Sequence, residues 1–259
     1  VSRCNAFDAR AWRFLKDDNA TISGKWGRSA DFAGRPGDRA VPCFAAAASV
    51  GVITSPMTEP IVHFRSFSLK YRRKTVLASI DLDVFGGEPH ILIGPVAAGK
   101  SSFLRSLAGL HAGDATLGGL AHISGTPISE VNRGLIVGQR AATLMGSLRD
   151  CLVPRELSGK ATLSERTARA EEALERFGLT HLAGDLDTPV LALSAVDARL
   201  VLLAHFAAAA PPVLALDEPT VGMSHADVFR YCAAVRLVAQ RIAVVVATHH
   251  QITARELGG

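Results

Sequence analysis

The sequence predicts an α/β fold in which a mostly parallel core sheet is flanked by helices. Two apolar runs, Val213–Leu216 and Ile242–Ala247, lack polar alternation, as parallel strands do when helices cover both faces of their sheet. A third apolar strand, His90–Ile93, leads into a glycine-rich loop, and an amphipathic helix is predicted to follow over Ser101–Leu110. A strand, a loop and a helix in this order are typical of such sheets.

An antiparallel pair of strands is predicted ahead of this unit. The runs Ile61–Leu69 and Val76–Val84 are rich in β-branched and aromatic residues, and the basic turn Arg72–Lys74 lies between them. Further along, Gly113–Gly125 carries short strand-like pieces, which we expect to be broken at Gly118–Gly119.

The second half of the chain alternates helices with short strands. Residues 146–185 are predicted to be mostly helical, and Thr162 and Glu165 form a capping-box pattern that opens a helix over Arg166–Phe177. The remaining predicted elements are the strand Leu135–Val137 and the helices Ala195–Ala209 and Ala226–Gln240.

Composition narrows the class of protein. The chain has 259 residues, which is enough for one large α/β domain. Its four cysteines, Cys4, Cys43, Cys151 and Cys232, lie far apart and form no C-x-x-C pair, which argues against a zinc site or a disulfide framework and indicates a reducing compartment. The longest apolar stretch, Leu200–Leu216, contains a histidine and two prolines and is not expected to span a membrane.

Charge and pattern divide the chain into two parts. Residues 1–56 hold eight basic and five acidic residues, and residues 57–259 hold twenty and nineteen, so the second part has no basic face for nucleic acid. Residues 1–56 show no sustained helical or alternating period. We therefore expect a disordered extension or a mis-assigned start there, with Met57 as the beginning of the folded domain.

A phosphate-binding loop is the strongest motif. The segment fits the pattern G-x-x-x-x-G-K-[ST], in which the glycines let backbone N–H groups converge on phosphate oxygens. The lysine supplies a point charge for the β- and γ-phosphates, the serine offers a hydroxyl to Mg²⁺, and the following helix aims its positive end at the anion. The predicted nucleotide contacts are Gly94, Pro95, Val96, Ala97, Ala98, Gly99, Lys100, Ser101 and Ser102.

Two acidic residues follow an apolar strand downstream. Asp217 stands at the carboxyl end of the strand that begins at Val213, and Glu218 comes next. An aspartate in that place can hold Mg²⁺ beside Ser101, directly or through water. The adjacent glutamate can polarise the attacking water as a general base.

Together these motifs resemble the nucleotide-binding domain of an ABC transporter, from about residue 60 to the C-terminus. Three further positions match that family's pattern. Tyr71 resembles the aromatic residue that stacks on adenine, and Gln139 resembles the glutamine that touches Mg²⁺ and the attacking water. His249 resembles the histidine that senses the γ-phosphate, and the register alone does not exclude its neighbour His250.

The resemblance implies a fold and a set of ligands. The implied fold is that of P-loop NTPases, with an antiparallel β subdomain and a helical subdomain at about 140–195, so that 57–259 is an ABC-type ATP-binding domain. The implied cofactors are ATP and Mg²⁺. The implied metal ligands are Ser101, Gln139 and Asp217, and the implied catalytic residues are Glu218, His249 and Gln139.

One motif departs from the family's pattern. Where the family has L-S-G-G-Q, Leu193–Asp197 reads Leu-Ser-Ala-Val-Asp. In the family two domains sandwich two ATP molecules, and the signature of one domain binds the γ-phosphate held by the other. The branched side chain of Val196 and the negative charge of Asp197 are expected to weaken that contact, the charge by about 1 kcal/mol or more. Ser224 also stands where the family has Asp.

The resemblance implies an ATPase that powers a membrane permease from the cytoplasmic face of the cell membrane. Export is favoured over import because Gly94–Val96 and Leu144–Asp150 resemble segments of exporters. The weakened signature predicts a heterodimer with a second ATP-binding cassette, with a homodimer as the alternative, and no nucleic acid partner is expected.

Three other functions are weighed against this one. Non-transport ABC-type ATPases, regulatory or ribosome-linked, usually join two cassettes in one chain, and this sequence has one set of motifs. A GTPase or a small-molecule kinase is disfavoured because there is no N-K-x-D run, and Asp-Glu-Pro-Thr followed by a strand-end Thr-His is foreign to kinases. A non-hydrolysing ATP-binding regulator fits the weak signature, but the intact Glu218 argues against it.

Overall fold

The computed structural model describes residues 59–72, 74–111, 113–128, 134–138, 144–154 and 161–258, together with the backbone of one short strand near the N-terminus. The strands are β1 (Arg13–Leu15), β2 (Val62–Tyr71), β3 (Lys74–Val84), β4 (Pro89–Ile93), β5 (Ala115–Ile123), β6 (Thr126–Pro127), β7 (Leu135–Val137), β8 (Val213–Asp217) and β9 (Ala243–Thr248). The α-helices are α1 (Lys100–Leu107), α2 (Leu148–Leu152), α3 (Leu163–Arg176), α4 (Ala195–Ala208), α5 (His225–Ala239) and α6 (Gln251–Gly258), with 3₁₀ turns at Thr180–Leu182 and Val190–Ala192.

The predicted α/β fold is observed, with a core sheet of strand order β1-β4-β9-β8-β7. Strands β4, β9, β8 and β7 run parallel, and β1 pairs antiparallel with β4 at the edge. The register aligns Ile93 with Thr248 and Asp217 with Ala247. The carboxyl ends of β4, β8 and β9 therefore meet at one edge of the sheet, which is where ligands bind in open α/β sheets.

The two faces of the core sheet pack against different layers. On β9, Val244 and Val246 join a core cluster with residues from α2 to α6, whereas Val245 joins a second cluster with α1 and the antiparallel strands. Every residue of β8 and β9 is buried. The lack of polar alternation in these strands thus has the predicted cause, because both faces are covered.

The antiparallel sheet has the order β3-β2-β5-β6 and corrects one prediction. The expected break at Gly118–Gly119 is wrong, since β5 runs without interruption through both residues. Opposite them, the register of β2 shifts between Arg65 and Ser68, and Gly119 has a φ of 77°. A Cβ atom on Gly119 would lie 2.2 Å from the carbonyl oxygen of Ser66. The glycine accommodates a bulge in the neighbouring strand rather than ending its own.

The predicted capping box is confirmed at the start of α3. The Glu165 N–H donates to the Thr162 hydroxyl at 3.3 Å, and the Thr162 N–H donates to the Glu165 carboxylate at 2.7 Å. The helix begins at Leu163, three residues before the predicted start, because the box encloses the first helical turn. Residues 146–185 also contain α2 and a 3₁₀ turn, and 155–160 lie outside the described residues.

Of residues 1–56 the structure describes only β1, whose Arg13 aligns with Ile93. The prediction of a disordered extension or a mis-assigned start otherwise falls outside the described residues and stays a prediction. Among the described helices, none has both the length and the apolar character needed to cross a bilayer.

Replacement of Gly119 by Ala tests the close approach of β5 to β2. Gly119→Ala is expected to lower the free energy of unfolding by about 3 kcal/mol, because the new Cβ meets backbone and the residue keeps a left-handed φ. Gly125→Ala is the matched control, since Gly125 has a φ of 76° but open space around its Cβ position. Its expected cost is about 1 kcal/mol. Urea denaturation measures both, and equal losses would contradict the close approach.

Candidate active site

The predicted phosphate loop connects β4 to α1 and has the backbone conformation of a tight turn. Gly99 caps the amino end of α1 with a φ of 83°, and Ala97 has a φ of 65°. Ala98 is buried under the loop, whereas Val96 at its tip is 77% exposed. No side chain of the described residues caps this end of α1, so its first N–H groups are available to an anion.

The Lys100 side chain lies across the loop. It is buried, and its ammonium donates to the carbonyl oxygens of Gly94 at 2.7 Å and Pro95 at 3.0 Å. An ammonium group has three N–H donors, and these two bonds keep it against the loop backbone. The positive charge is therefore fixed beside the open N–H groups of α1, and both attract phosphate.

A buried carboxylate from β8 lies next to the loop. The Ser101 side chain lies near Asp217, which is 6% exposed. Burial raises the pKa of Asp217 above its ordinary value, and the charge of Glu218 adds to this, while the nearby Ser101 side chain opposes it. The Oδ1 atom of Asp217 is buried and has no hydrogen-bond partner among the described residues. A buried oxygen of this kind is suited to a cation.

Glu218 directly follows β8 and is held in place by hydrogen bonds to the end of β9. Its N–H donates to the Ala247 carbonyl at 2.8 Å, one step beyond the end of β8, and its φ is 48°. Its carboxylate accepts from the Thr248 hydroxyl at 3.1 Å and from the His249 N–H at 3.3 Å. A left-handed φ in a residue other than glycine costs free energy and persists only where the surrounding structure holds it.

Two histidines follow β9 on the side of this carboxylate. His249 Nδ1 lies 2.6 Å from Glu218 Oε1, and the His250 N–H donates to the Thr248 hydroxyl at 3.0 Å. The imidazole rings of His249 and His250 are 4.1 Å apart between centroids and tilted by 36°. The predicted catalytic pair Glu218 and His249 is therefore in direct contact.

Two predicted site residues lie elsewhere or outside the described part. Tyr71 ends β2 in the antiparallel sheet, where it is half-buried and aligned with Lys74 and Ala115. Gln139 lies outside the described residues, directly after Gly138 at the end of β7. Their predicted contacts with adenine and with the metal stay predictions.

The segment Leu193–Asp197, which differs from the family's signature, forms the amino end of α4. Ser194 caps the helix, and its hydroxyl accepts from the Asp197 N–H at 3.2 Å and donates to the Asp197 carboxylate at 2.6 Å. The serine hydroxyl proton is thus used within its own chain. Val196 packs partly buried against the core cluster on this side of the sheet.

The negative charge of Asp197 is balanced locally. Arg230 of α5 donates to its Oδ1 at 3.0 Å, and His181 lies 3.2 Å from its Oδ2. Burial would raise the pKa of Asp197, but hydrogen bonds from Ser194, His181 and Arg230 lower it below its ordinary value. The repulsion of a partner's phosphate expected from this charge is therefore offset by a neighbouring guanidinium.

Comparison with known proteins identifies the family. The family model described as "ABC transporter" matches residues 77–221, which is more than half of the chain. The chain belongs to the ABC transporter family. It is an ATP-binding subunit of the ATPase type, and the resemblance predicted from its motifs is confirmed.

Similar proteins within the ABC transporter family serve different systems. The lipoprotein-releasing system ATP-binding protein LolD 2 of Caulobacter vibrioides is 31% identical over 77% of this chain and 92% of that protein. The zinc import ATP-binding protein ZnuC of Marinobacter nauticus is 34% identical over 64% and 59%. The ribose import ATP-binding protein RbsA of Rhodococcus jostii is 27% identical over 75% of this chain and 40% of its own length.

The solved structure of cbiO1 from Clostridium perfringens, part of the ABC transporter complex cbiONQ, has the same fold. Its TM-score is 0.64 at 23% identity, with 77% of this chain and 83% of that chain covered. The predicted P-loop NTPase fold, with a mostly parallel core sheet, an antiparallel β sheet and helices, is confirmed.

Three polar residues that organise this ABC domain were not predicted from the sequence. Arg199 of α4 donates to the carbonyl oxygens of Pro219 at 3.1 Å and Val221 at 2.7 Å and so ties the loop after Glu218 to the signature helix. The other two are Arg230, which donates to Asp197, and Thr248, which donates to Glu218. Each comes from an element far from its partner in sequence, and a single side chain in a helix or strand carries no local signal of such a contact.

The Asp197 cluster can be tested by its effect on stability. Asp197→Asn is expected to lower the free energy of unfolding by about 2 kcal/mol at pH 7, because it weakens bonds to Arg230 and His181. The folded-state pKa of Asp197 is lowered, so its contribution is complete above the unfolded pKa of about 4 and is lost as pH falls through the folded pKa. The deficit of the variant should therefore shrink on acidification below about pH 4.

Asp227→Asn is the matched control for that measurement. Asp227 forms the same cap with Ser224, donating its N–H at 3.2 Å and accepting the hydroxyl at 2.7 Å, but its nearest guanidinium nitrogen is 3.7 Å away. Urea denaturation at several pH values should give a smaller loss for Asp227→Asn. Equal losses would show that the helix cap alone accounts for the effect.

Proposed function

We propose that this chain binds and hydrolyses ATP on the cytoplasmic face of a membrane, docked on permease subunits and paired with a second ATP-binding cassette. The observation that carries the proposal is the contact between Glu218 and His249 beside Asp217, at the edge of the sheet where the phosphate loop begins. This arrangement combines an anion site, a buried carboxylate and a candidate base within one region.

ATP is proposed to bind through its phosphates at the loop. The open N–H groups of α1 and the ammonium of Lys100 would bind the β- and γ-phosphates. The phosphates would compete with the two loop carbonyls for that ammonium. The adenine ring is proposed to stack on Tyr71, which lies half-buried at the end of β2.

Mg²⁺ fits the donors present beside the loop. Asp217 has a buried oxygen without a partner among the described residues, and Ser101 offers a hydroxyl to the same place. These two residues would hold the ion, and Gln139 is proposed as a further ligand. When bound, Mg²⁺ would neutralise negative charge on the phosphates.

Glu218 is proposed as the general base and His249 as the contact to the γ-phosphate. Glu218 carries an acceptor carboxylate at the strand edge, and its 2.6 Å contact fixes the ring of His249. Thr248 acts as a positioning residue, because its hydroxyl donates to Glu218 at 3.1 Å. The base would take a proton from water as that water attacks the terminal phosphorus.

The transport step is proposed to use closure of two cassettes around ATP. Closure would place a partner's signature against the γ-phosphate held at this loop, and the binding energy would move the permease. The signature of this chain is less suited to the reciprocal contact, because the Ser194 hydroxyl donates to Asp197. A heterodimer with a cassette bearing an intact signature is therefore proposed.

Export is the proposed direction. It is supported by the sequence of the loop at Gly94–Val96 and by Leu144–Asp150, where Met145 is 79% exposed beside α2 and so free to contact a permease. The names of similar proteins include both a releasing system and import systems.

A non-hydrolysing ATP-binding regulator is the second candidate function, supported by the altered signature.

Replacement of the base separates these two candidates. Glu218→Gln is expected to lower the steady-state ATPase rate at least about a hundredfold, because the amide cannot accept the proton from water. ATP affinity, measured with a fluorescent nucleotide, should change by less than about threefold. The exposed Glu171 provides the control variant Glu171→Gln, which should hydrolyse ATP normally. A wild-type chain that binds ATP without hydrolysing it, alone or with its partner cassette, would favour the regulator.

The pairing can be tested with the same base variant. The Glu218→Gln chain alone is expected to remain monomeric in ATP by light scattering. With Ala195→Gly, Val196→Gly and Asp197→Gln added, it should form an ATP-dependent dimer, because the signature glycines and glutamine are restored. Lys100→Ala in that background is the control that should stay monomeric. An ATP-dependent homodimer of the chain with its natural signature would contradict the proposed asymmetry.

A further inference from the structure

Glu218, His249 and His250 form a cluster of metal-binding side chains. One carboxylate oxygen and one nitrogen from each imidazole lie within 4.8 Å of one another. The carboxylate is buried, while both histidines are exposed, so an ion can reach the cluster from solvent. The nucleotide contacts proposed above do not use His250.

The backbone explains why two consecutive histidines share one side. In a strand, neighbouring side chains point to opposite faces. Here β9 ends at Thr248, and the His250 N–H turns back to the Thr248 hydroxyl at 3.0 Å. The two rings consequently lie 4.1 Å apart rather than on opposite faces. The adjacent, fully buried strands β8 and β9 support all three residues.

The donor set determines the class of ion. Two imidazoles and one carboxylate suit Zn²⁺ and neighbouring first-row ions, whereas Mg²⁺ prefers oxygen donors. Three protein ligands around zinc stand about 3.3 Å apart in a tetrahedron and leave the fourth position for water. Rotation of the two exposed histidine side chains would bring the present spacing of up to 4.8 Å towards that value.

We propose that Glu218, His249 and His250 form an inhibitory site for Zn²⁺ or a similar transition-metal ion. The ion takes the place of the proton between Glu218 Oε1 and His249 Nδ1, with the imidazole proton carried on Nε2, and His250 supplies the third ligand. A coordinated Glu218 no longer accepts a proton from water. The inhibition rests on the proposed function of Glu218 and His249, whereas the binding of the ion does not.

The binding is tested without nucleotide and without Mg²⁺. Zn²⁺ is titrated calorimetrically into the full chain and into His250→Ala and His225→Ala. His225 is the matched control, an exposed histidine at the start of α5 whose ring contacts Phe229. We expect one saturable site whose affinity falls at least tenfold in His250→Ala and is unchanged in His225→Ala. Equal affinity of His250→Ala and the wild type, or no saturable binding, overturns the proposal.

The inhibition is tested on the ATPase rate. Without zinc, His250→Ala should hydrolyse ATP like the wild type, and at least tenfold more Zn²⁺ should be needed to inhibit it by half. Inhibition of both proteins at the same Zn²⁺ concentration overturns the inhibitory role. A chain that binds Zn²⁺ through His250 but has no ATPase activity would support the metal site and count against the proposed function instead.

Discussion

The parallel pairing of β8 with β9 is the constraint on which the candidate active site depends. It aligns Asp217 with Ala247 and extends by one further bond, from the Glu218 N–H to the Ala247 carbonyl. That bond holds Glu218 in a left-handed conformation that its own side chain disfavours. The cost is offset by the buried strands on either side, and the result is a carboxylate directed at Thr248 and His249.

The same burial that fixes these strands also sets the electrostatics of their ends. Both faces of the core sheet are covered, so the Asp217 side chain at the end of β8 is shielded from water. This burial raises its pKa. A carboxylate with an unsatisfied oxygen in such a place is destabilising unless a cation or a proton joins it. The site thus lowers the stability of the folded chain, and binding of Mg²⁺ and a nucleotide would offset that loss.

The signature end of α4 shows the opposite arrangement, in which polar groups are satisfied within the chain. Ser194, Asp197, Arg230 and His181 form one connected cluster. The loop after Glu218 is tied to the same helix through Arg199. A surface whose donors are already used offers fewer of them to a partner's phosphate. The loop side and the signature side of this ABC domain are therefore unequal in what each can bind.

The fold class, the phosphate loop, the buried strands of the core sheet and the capping box of α3 could all be predicted from the sequence, because each depends on neighbouring residues or on a short apolar period. Which distant side chains meet depends on tertiary packing and could not be predicted in this way. The bulge of β2 opposite Gly119 decided that β5 continues, and the pairing of β8 with β9 brought Glu218 to His249. The closure of Arg230 on Asp197 likewise depends on packing between α4 and α5. Contacts of this kind join residues separated by about thirty positions or more, and no local propensity encodes them.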